Sequence, residues 1–443
     1  MKQGQVVEVK LWGTIVGFLG YAPNQTQFAT FEYDKTFAQT SIQLSPIVMK
    51  YPPLLHTFDT ISERSFHGVP GIFADSLPDK FGNQLIDQFM ADKNIPQSEV
   101  TALDRLLYVG NRGMGALEYH PVSNDNQSVG IALDLQKLSE LSNLLLTQKE
   151  SFAQKLHSAQ SRQDALNMIR VGSSAGGARS KALVALDEKG TLYDGTINQG
   201  VDCRYYLLKF DSSDNQDKDA KDPKGMTKIE YIYSLIAREC GIQMPTTTYI
   251  EENGDFHFLI ERFDREVVLQ NDKKIARKKH YASWAGLTHS DRDVTGAYSY
   301  EQLILTARAL GVGEHQIKEL FRRSVFNIVG RNQDDHTKNF GFMMDRQGLW
   351  SLSPAFDMTY AYDPSGKWTR VHQIRLNGKQ DDFTMNDLIL FGKKCNLSEK
   401  ETKEVVEKTV DAFMSFETLA REFEVDKALQ ETVKSALRVR LKV

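Results

Sequence analysis

Cysteine is scarce. Cys203, Cys240 and Cys395 are the only three in 443 residues. They lie far apart, no pair has zinc-ligand spacing, and an odd number makes a poor disulfide framework. A disulfide-stapled scaffold is excluded, and a reducing cytoplasm is the expected setting. Long apolar runs are missing too. No stretch of about 18 apolar residues occurs, so no spanning helix is expected, and the opening MKQGQVVEVKLWG has no apolar signal core. Nor is there an excess of one charge. Lys and Arg number 54 against 58 Asp and Glu, a net −4, which argues against a generally basic nucleic-acid surface while leaving room for a local patch. No internal repeat and no low-complexity tract stands out. What remains is a globular composition, 41% hydrophobic and 25% charged, on a chain long enough for two to three domains and a sizeable core.

Along the chain, residues 5–50 read as short strands, with alternation in VVEVKLWGTIVGFLGY and an aromatic run in FATFEYD. Residues 72–92 read as a turn and then an amphipathic helix carrying Phe81, Leu85, Ile86 and Phe89 at helical spacing. Another helix ends near Gly110 and a strand comes next at GALEYHP; residues 131–168 read as polar-faced helix. The pattern changes near residue 169 to strand, Gly-rich loop, strand. Then come the strand CRYYLLKF, a charged loop, and the helix IEYIYSLIAREC stopped by Gly241. A hairpin then turns at Asn253-Gly254. From Tyr298 onward helices dominate. A β-rich half thus precedes a helical half, with charged residues at their junction.

The chemistry concentrates between Val329 and Tyr362. Asp334 and Asn339 are five residues apart there, and Asp357 comes after a hairpin-like interval. One Asp to orient an acceptor hydroxyl, an Asn for Mg²⁺, and a second Asp between Mg²⁺ and phosphates is the set phosphoryl transfer needs. The spacing selects Asp334 over Asp335. His336 reads as a backbone hydrogen-bonder rather than a base or metal ligand. Lys338 reads equally as a neutraliser of phosphate charge or as an exposed cation. Upstream, Ser173, Ser174, Ala175, Gly176 and Gly177 form a Gly-rich loop that is neither a Walker loop nor G-x-G-x-x-G. A tight turn and a phosphate cradle both fit it, with Arg179 and Lys181 as nearby positive charge. Lys209, near the end of its strand, fits either a solvated strand end or a phosphate contact; Glu230 fits either its partner or ordinary helix-end charge. Glu261-Arg262-Phe263-Asp264-Arg265 fits a lobe-connecting hinge or a charged strand end with surface ion pairs. Each element is weak alone, but the order matches a kinase. A kinase-like binding module without turnover and a metal-dependent nuclease are the alternatives; the nuclease leaves Lys209 and the hinge without a role.

The motifs SSAGGARSKALV, YYLLKF, KIEY, ERFDR, NQDDHTKNFGF and LSPAFDM together resemble the HipA family of kinase toxins from bacterial toxin–antitoxin pairs. FADSLPDKFGNQLI and LLYVGNRGMGALEY extend the resemblance over nearly the whole chain. It implies an α+β, two-lobed kinase fold related to phosphoinositide kinases: an N-terminal subdomain at 1–125, a helical connector at 126–168, a β-rich N-lobe at 169–270 and a helical C-lobe at 271–443. It implies an ATP- and Mg²⁺-dependent serine/threonine kinase that phosphorylates an aminoacyl-tRNA synthetase, glutamyl-tRNA synthetase as first expectation, and so arrests translation and causes persistence. By position, Asp334 is the catalytic Asp and Asn339 and Asp357 the metal ligands. Lys209 contacts phosphates, Glu261 and Phe263 present the hinge to adenine, and Asp264 holds ribose. His336, Lys338 and the loop residues 173–177 complete the ATP site. Ser174 is the expected autophosphorylated residue, with Ser173 beside it as the competing acceptor. The implied partners are a small helix-turn-helix antitoxin and, through it, operator DNA.

Overall fold

The computed structural model describes residues 6–23, 27–92, 94–122, 172, 180–199, 202–211, 223–270 and 273–441. The expected connector at 126–168 lies outside the described residues, as do Ser173, Ser174, Ala175, Gly176 and Gly177.

The first strands are β1 (Val6–Leu11), β2 (Thr14–Tyr21), β3 (Ala29–Tyr33), β4 (Leu55–Thr57) and β5 (Leu117–Pro121). They form one antiparallel sheet in the order β4-β3-β2-β1-β5. Alternation puts Val7, Val9 and Leu11 on the buried face. Trp12 and Gly13, both at positive φ, make the two-residue turn that fixes the β1–β2 register. After the short helix α1 (Glu63–Phe66), the stretch expected as a turn and one helix holds two helices. These are α2 (Gly71–Ala74) and α3 (Lys80–Asp92), parted by a segment that includes Ser76-Leu77-Pro78. Pro78 cannot donate to a continuing helix, and it forces the break. Phe81, Leu85 and Ile86 are buried as their spacing predicts. A capping box between Thr101 and Asp104 starts α4 (Ala102–Val109).

The second sheet contains β6 (Lys181–Asp187), β7 (Leu192–Asp194), β8 (Cys203–Lys209), β9 (Thr247–Glu252) and β10 (Asp255–Glu261), in the order β7-β6-β8-β10-β9. The β9–β10 turn is Asn253-Gly254, both residues at positive φ, as the dipeptide predicts. Helix α5 (Met226–Glu239) covers this sheet. It ends as expected at Gly241, where φ is +78°, with Ile242 N–H donating to Ala237 O at 2.9 Å. The strands after the hinge are not apparent from sequence: a ribbon of β11 (Arg265–Gln270) and β12 (Lys273–Lys278), then β13 (His280–Ser283).

In the helical half, α6 (Trp284–Thr288), α7 (Tyr300–Ala309) and α8 (Glu314–Val329) lead to the segment that carries Asp334 and Asn339. Strands β14 (Gly341–Met344) and β15 (Trp350–Leu352) join β13 in a three-stranded sheet. Helices α9 (Met385–Lys394), α10 (Glu399–Met414), α11 (Phe416–Glu422) and α12 (Lys427–Ala436) close the chain. One continuous apolar cluster joins Val9 and Phe31 of the first sheet to Ile232 of α5 and to Phe326 and Val410 of the helical half. The N-terminal unit is therefore packed against the rest rather than tethered to it.

Candidate phosphotransfer site

Lys209 sits at the C-terminal end of β8, a strand whose apolar residues are held by β6 and β10. Its ammonium donates to Glu230 Oε1 and to Asp357 Oδ1, each at 2.5 Å. Glu230 comes from the first turns of α5 and Asp357 from the segment after β15, so one lysine joins the two lobes. Burial disfavours the Lys209 charge, but Asp357 and Glu230 outweigh it and raise its pKa above the ordinary value. The reciprocal holds at Asp357. Burial opposes its charge, yet Lys209 and Lys181 lower its pKa. The Asp357 side chain keeps 38% exposure. Its backbone is left-handed, with φ 51°, a conformation that costs an ordinary residue about 1 kcal/mol and marks a constrained site.

The segment expected to be catalytic begins where Gly330 ends α8. Asp334 and Asp335 then part company. Asp335 is buried and accepts from Tyr300 Oη at 2.7 Å, His372 Nδ1 at 2.8 Å and Gln373 N–H at 2.7 Å. Its oxygens are committed to holding the loop down. The Asp334 side chain, by contrast, is 49% exposed. Asn339 donates through Nδ2 to the Asp334 carbonyl at 2.7 Å, which bends the segment into a 3-10 turn over Thr337–Asn339. Asn339, Asn332 and Asp357 share the wall of one small cavity. Asn332 donates to Asn327 Oδ1 at 2.9 Å and to the Asp357 carbonyl at 3.2 Å. Tyr300, Asn327, Asn332 and His372 were not singled out by sequence, because nothing local marks a residue whose partner is brought to it by the fold.

His336 caps the 3-10 turn: its Nδ1 accepts from Lys338 N–H at 3.2 Å. Burial pushes its pKa down to about 4, with Arg292 adding to the effect, so the ring is neutral and serves as the hydrogen-bonder expected of it. Burial also lowers the pKa of Lys338, against the opposing pull of Asp75. Lys338 is thus half-buried beside an N-terminal carboxylate and is not the freely exposed cation that sequence left open.

At the hinge, Glu261 N–H donates to Thr246 O and Arg262 N–H to Tyr205 O, both at 2.8 Å. Phe263 stacks obliquely within an aromatic wall, 5.4 Å from Tyr281 and 5.7 Å from Phe356. Asp264 departs from expectation. It is fully buried, and its oxygens take Arg262 at 2.9 and 2.8 Å, Arg265 at 2.6 Å and Gly115 N–H at 2.7 Å. Burial would raise its pKa, but the two guanidiniums drive it well below the carboxylate range. A carboxylate enclosed this way has no surface for a ribose; it ties the hinge to the N-terminal unit instead. The sequence could not show this, because Gly115 lies 149 positions away.

Among the described residues no group of three or more His, Cys, Asp or Glu is arranged to hold a metal. Mg²⁺ in nucleotide sites needs only one or two carboxylates, its other ligands being phosphate and water oxygens. Asp357 and Asn339, facing one cavity, fit that requirement.

A sheet-based lobe and a helical lobe, bridged by a lysine with two carboxylate partners beside a hinge, define a two-lobed kinase-like protein of α+β class. The chain matches the HipA-like C-terminal domain over residues 173–416 and the HipA N-terminal domain over residues 7–120. It belongs to the HipA family. Its fold is similar to that of HipA in the Shewanella oneidensis MR-1 toxin–antitoxin complex of HipA, HipB and operator DNA, with a TM-score of 0.66 at 14% identity over 98% of this chain and 96% of that one. It is also similar to the Sinorhizobium fredii protein named "Putative kinase Y4dM", at 24% identity over 205 residues, 43% of this chain and 47% of that protein. The chain thus matches about half the length of that curated relative. No described helix is long and apolar enough to cross a membrane.

Proposed function

We propose that the chain is an ATP- and Mg²⁺-dependent serine/threonine kinase of the toxin type. The observation that carries this reading is Lys209 bonded at once to Glu230 and Asp357, each at 2.5 Å. That arrangement aligns a phosphate-binding lysine with a metal-ligand carboxylate, and a binding module or a nuclease has no use for it. Asp334 orients the acceptor hydroxyl and takes its proton as the oxygen–phosphorus bond forms. The bond from the γ-phosphorus to the bridging oxygen breaks, and ADP leaves. Lys209 and Lys338 offset the phosphate charge, while Glu261 and Phe263 border the adenine. Asn339 and Asp357 would hold Mg²⁺, which supplies further positive charge when bound. Because phosphoryl transfer asks mainly for positioning and charge, these groups suffice.

The substrate of this reading is an aminoacyl-tRNA synthetase, with glutamyl-tRNA synthetase the first to test, and the result of its phosphorylation is arrest of translation in the cytoplasm. The antitoxin partner is a small helix-turn-helix protein on operator DNA; support comes from the HipA–HipB–operator assembly of the Shewanella relative. Autophosphorylation of Ser174 would add about −1.5 to −2 charges beside the nucleotide phosphates and silence the site by repulsion. Phosphoproteomics on cells expressing wild type or Asp334→Ala tests the whole reading. It expects a synthetase phosphosite and a Ser174 phosphopeptide with wild type alone. Growth arrest by Asp334→Ala equal to that of wild type refutes it.

A further inference from the structure

The N-terminal unit reaches the phosphate cleft itself. Gly71 of α2 packs so closely on α6 that a Cβ there would lie 2.6 Å from Gly286 O, and Gly71 N–H donates to His289 Nε2 at 3.0 Å. Asp75 accepts from both Ser283 N–H and Ser283 Oγ at 2.6 Å. Ser283 pairs with Gly341, two residues beyond Asn339. Four residues further along, Asp79 lies 3.4 Å from the ammonium of Lys181, with the two side chains only 9% and 5% exposed. Lys181 starts β6 directly opposite Lys209 on β8. Residues opposed in this way project from the same face of a sheet. Two buried lysines therefore share one cleft, and the charge of Lys181 is felt by Lys209 and by Asp357 as well as by Asp79.

We infer that Asp79 is a positioning residue of the phosphate cleft: it holds Lys181 away from Asp357, so that this carboxylate keeps a single lysine partner and stays open to Mg²⁺ and phosphates. The inference rests on the kinase reading above. Its physical basis is a partition of charges. Lys209 has Glu230 as its own buried counter-ion, and Lys181 has Asp79. A buried ammonium deprived of its counter-ion is left uncompensated, and Asp357 is the next carboxylate within its field. Two lysines on Asp357 compete with a metal ion for the same oxygens. The N-terminal unit thereby becomes part of the nucleotide site, through one side chain at the start of α3. Asp79 also caps α3, accepting from Gly82 N–H at 2.7 Å. Asn is an equally good cap, so Asp79→Asn removes the charge while keeping the helix start.

The test uses the full-length protein and a non-hydrolysable ATP analogue, with calorimetric affinity measured across a Mg²⁺ titration and a melting curve for each variant. Asp79→Asn is expected to weaken analogue binding in Mg²⁺ about tenfold, as loss of a metal site's outer partner does, and to move the Mg²⁺ midpoint upward. Asp79→Glu restores both. In a Lys181→Met background, Asp79→Asn produces no further shift of the midpoint, because the competing ammonium is gone. If Asp79→Asn lowers the melting temperature but leaves the Mg²⁺ midpoint in place, Asp79 is structural only and the inference fails. A wild type that binds no Mg²⁺–nucleotide refutes the kinase reading itself; a wild type that binds, with Asp79→Asn unchanged, refutes this inference alone.

Discussion

Replacing Lys209 with Met tests the charge arrangement between the lobes. The substitution nearly preserves length and volume, so the loss is chiefly electrostatic. It strands Glu230, whose side chain is 6% exposed and lies 2.5 Å from the ammonium. Breaking a buried pair by removing one partner costs about 3–5 kcal/mol, because the surviving charge stays desolvated. Asp357 adds little, since at 38% exposure water can replace the lysine. The expected loss is therefore near the lower end, about 3 kcal/mol. The double variant Lys209→Met, Glu230→Met removes both charges and should recover most of the stability, while neither variant transfers phosphate. The assay is calorimetric melting together with hydrogen exchange over Met226–Glu239, because a chain of several units does not unfold in one step. A single variant that melts within about 0.5 kcal/mol of wild type, or a double variant no better than the single, refutes the assignment of a buried ion pair.

Asp334→Ala and Asp335→Ala should separate cleanly: the first abolishes transfer with melting unchanged within about 0.5 kcal/mol, while the second frees Tyr300, His372 and the Gln373 N–H and costs about 3 kcal/mol or more, read by melting. Asp357→Asn is expected to weaken Mg²⁺–ATP binding at least tenfold by calorimetry; unchanged affinity counts against its metal role. His280 is buried with neither ring nitrogen bonded, and burial pushes its pKa from 6.5 down to about 3. Because the unfolded ring protonates first, its contribution is intact above 6.5 and is lost as pH falls through that window, by about 1.4 kcal/mol per pH unit. His280→Phe should flatten that slope in melting temperatures measured against pH, and an unchanged slope would show that the ring is reached by water.

Local signals in the sequence are reliable where the physics is local. Asn253-Gly254 marks a hairpin because both residues tolerate positive φ, and Gly241 marks a helix end for the same reason. Lys209 is legible as the charged end of an apolar strand, while Glu230 on the next helix stays open between partner of Lys209 and ordinary helix-end charge. The order of a β-rich half before a helical half comes from periodicity, and the two-lobed kinase fold from the family resemblance. The features that stay hidden depend on long-range packing. Asp264 reads as a hinge carboxylate free for ribose, but Gly115 and two flanking arginines enclose it. The β11–β12 ribbon is hidden because its charged alternation reads as loop. Asp75 and Asp79 lie in a motif of the family resemblance, but their partners stay hidden, since Ser283 is 208 positions from the first and Lys181 is 102 from the second.

The knot around Asp264 has a consequence for assembly during synthesis. Arg262 donates to Gly195 O at 2.9 Å, and Arg265 donates to Gly113 O at 3.0 Å and to Gly115 O at 3.1 Å. The acceptors at 113–115 leave the ribosome about 150 residues ahead of the arginines that need them. The N-terminal unit can thus form first and wait as a template on which the hinge closes. A chain beginning near residue 169 would keep Asp264 and Gly195 as partners of the two guanidiniums but lose the acceptors at 113–115. Trimming from the front is therefore expected to loosen the hinge, and hydrogen exchange over Arg265–Gln270 in such a chain would read it.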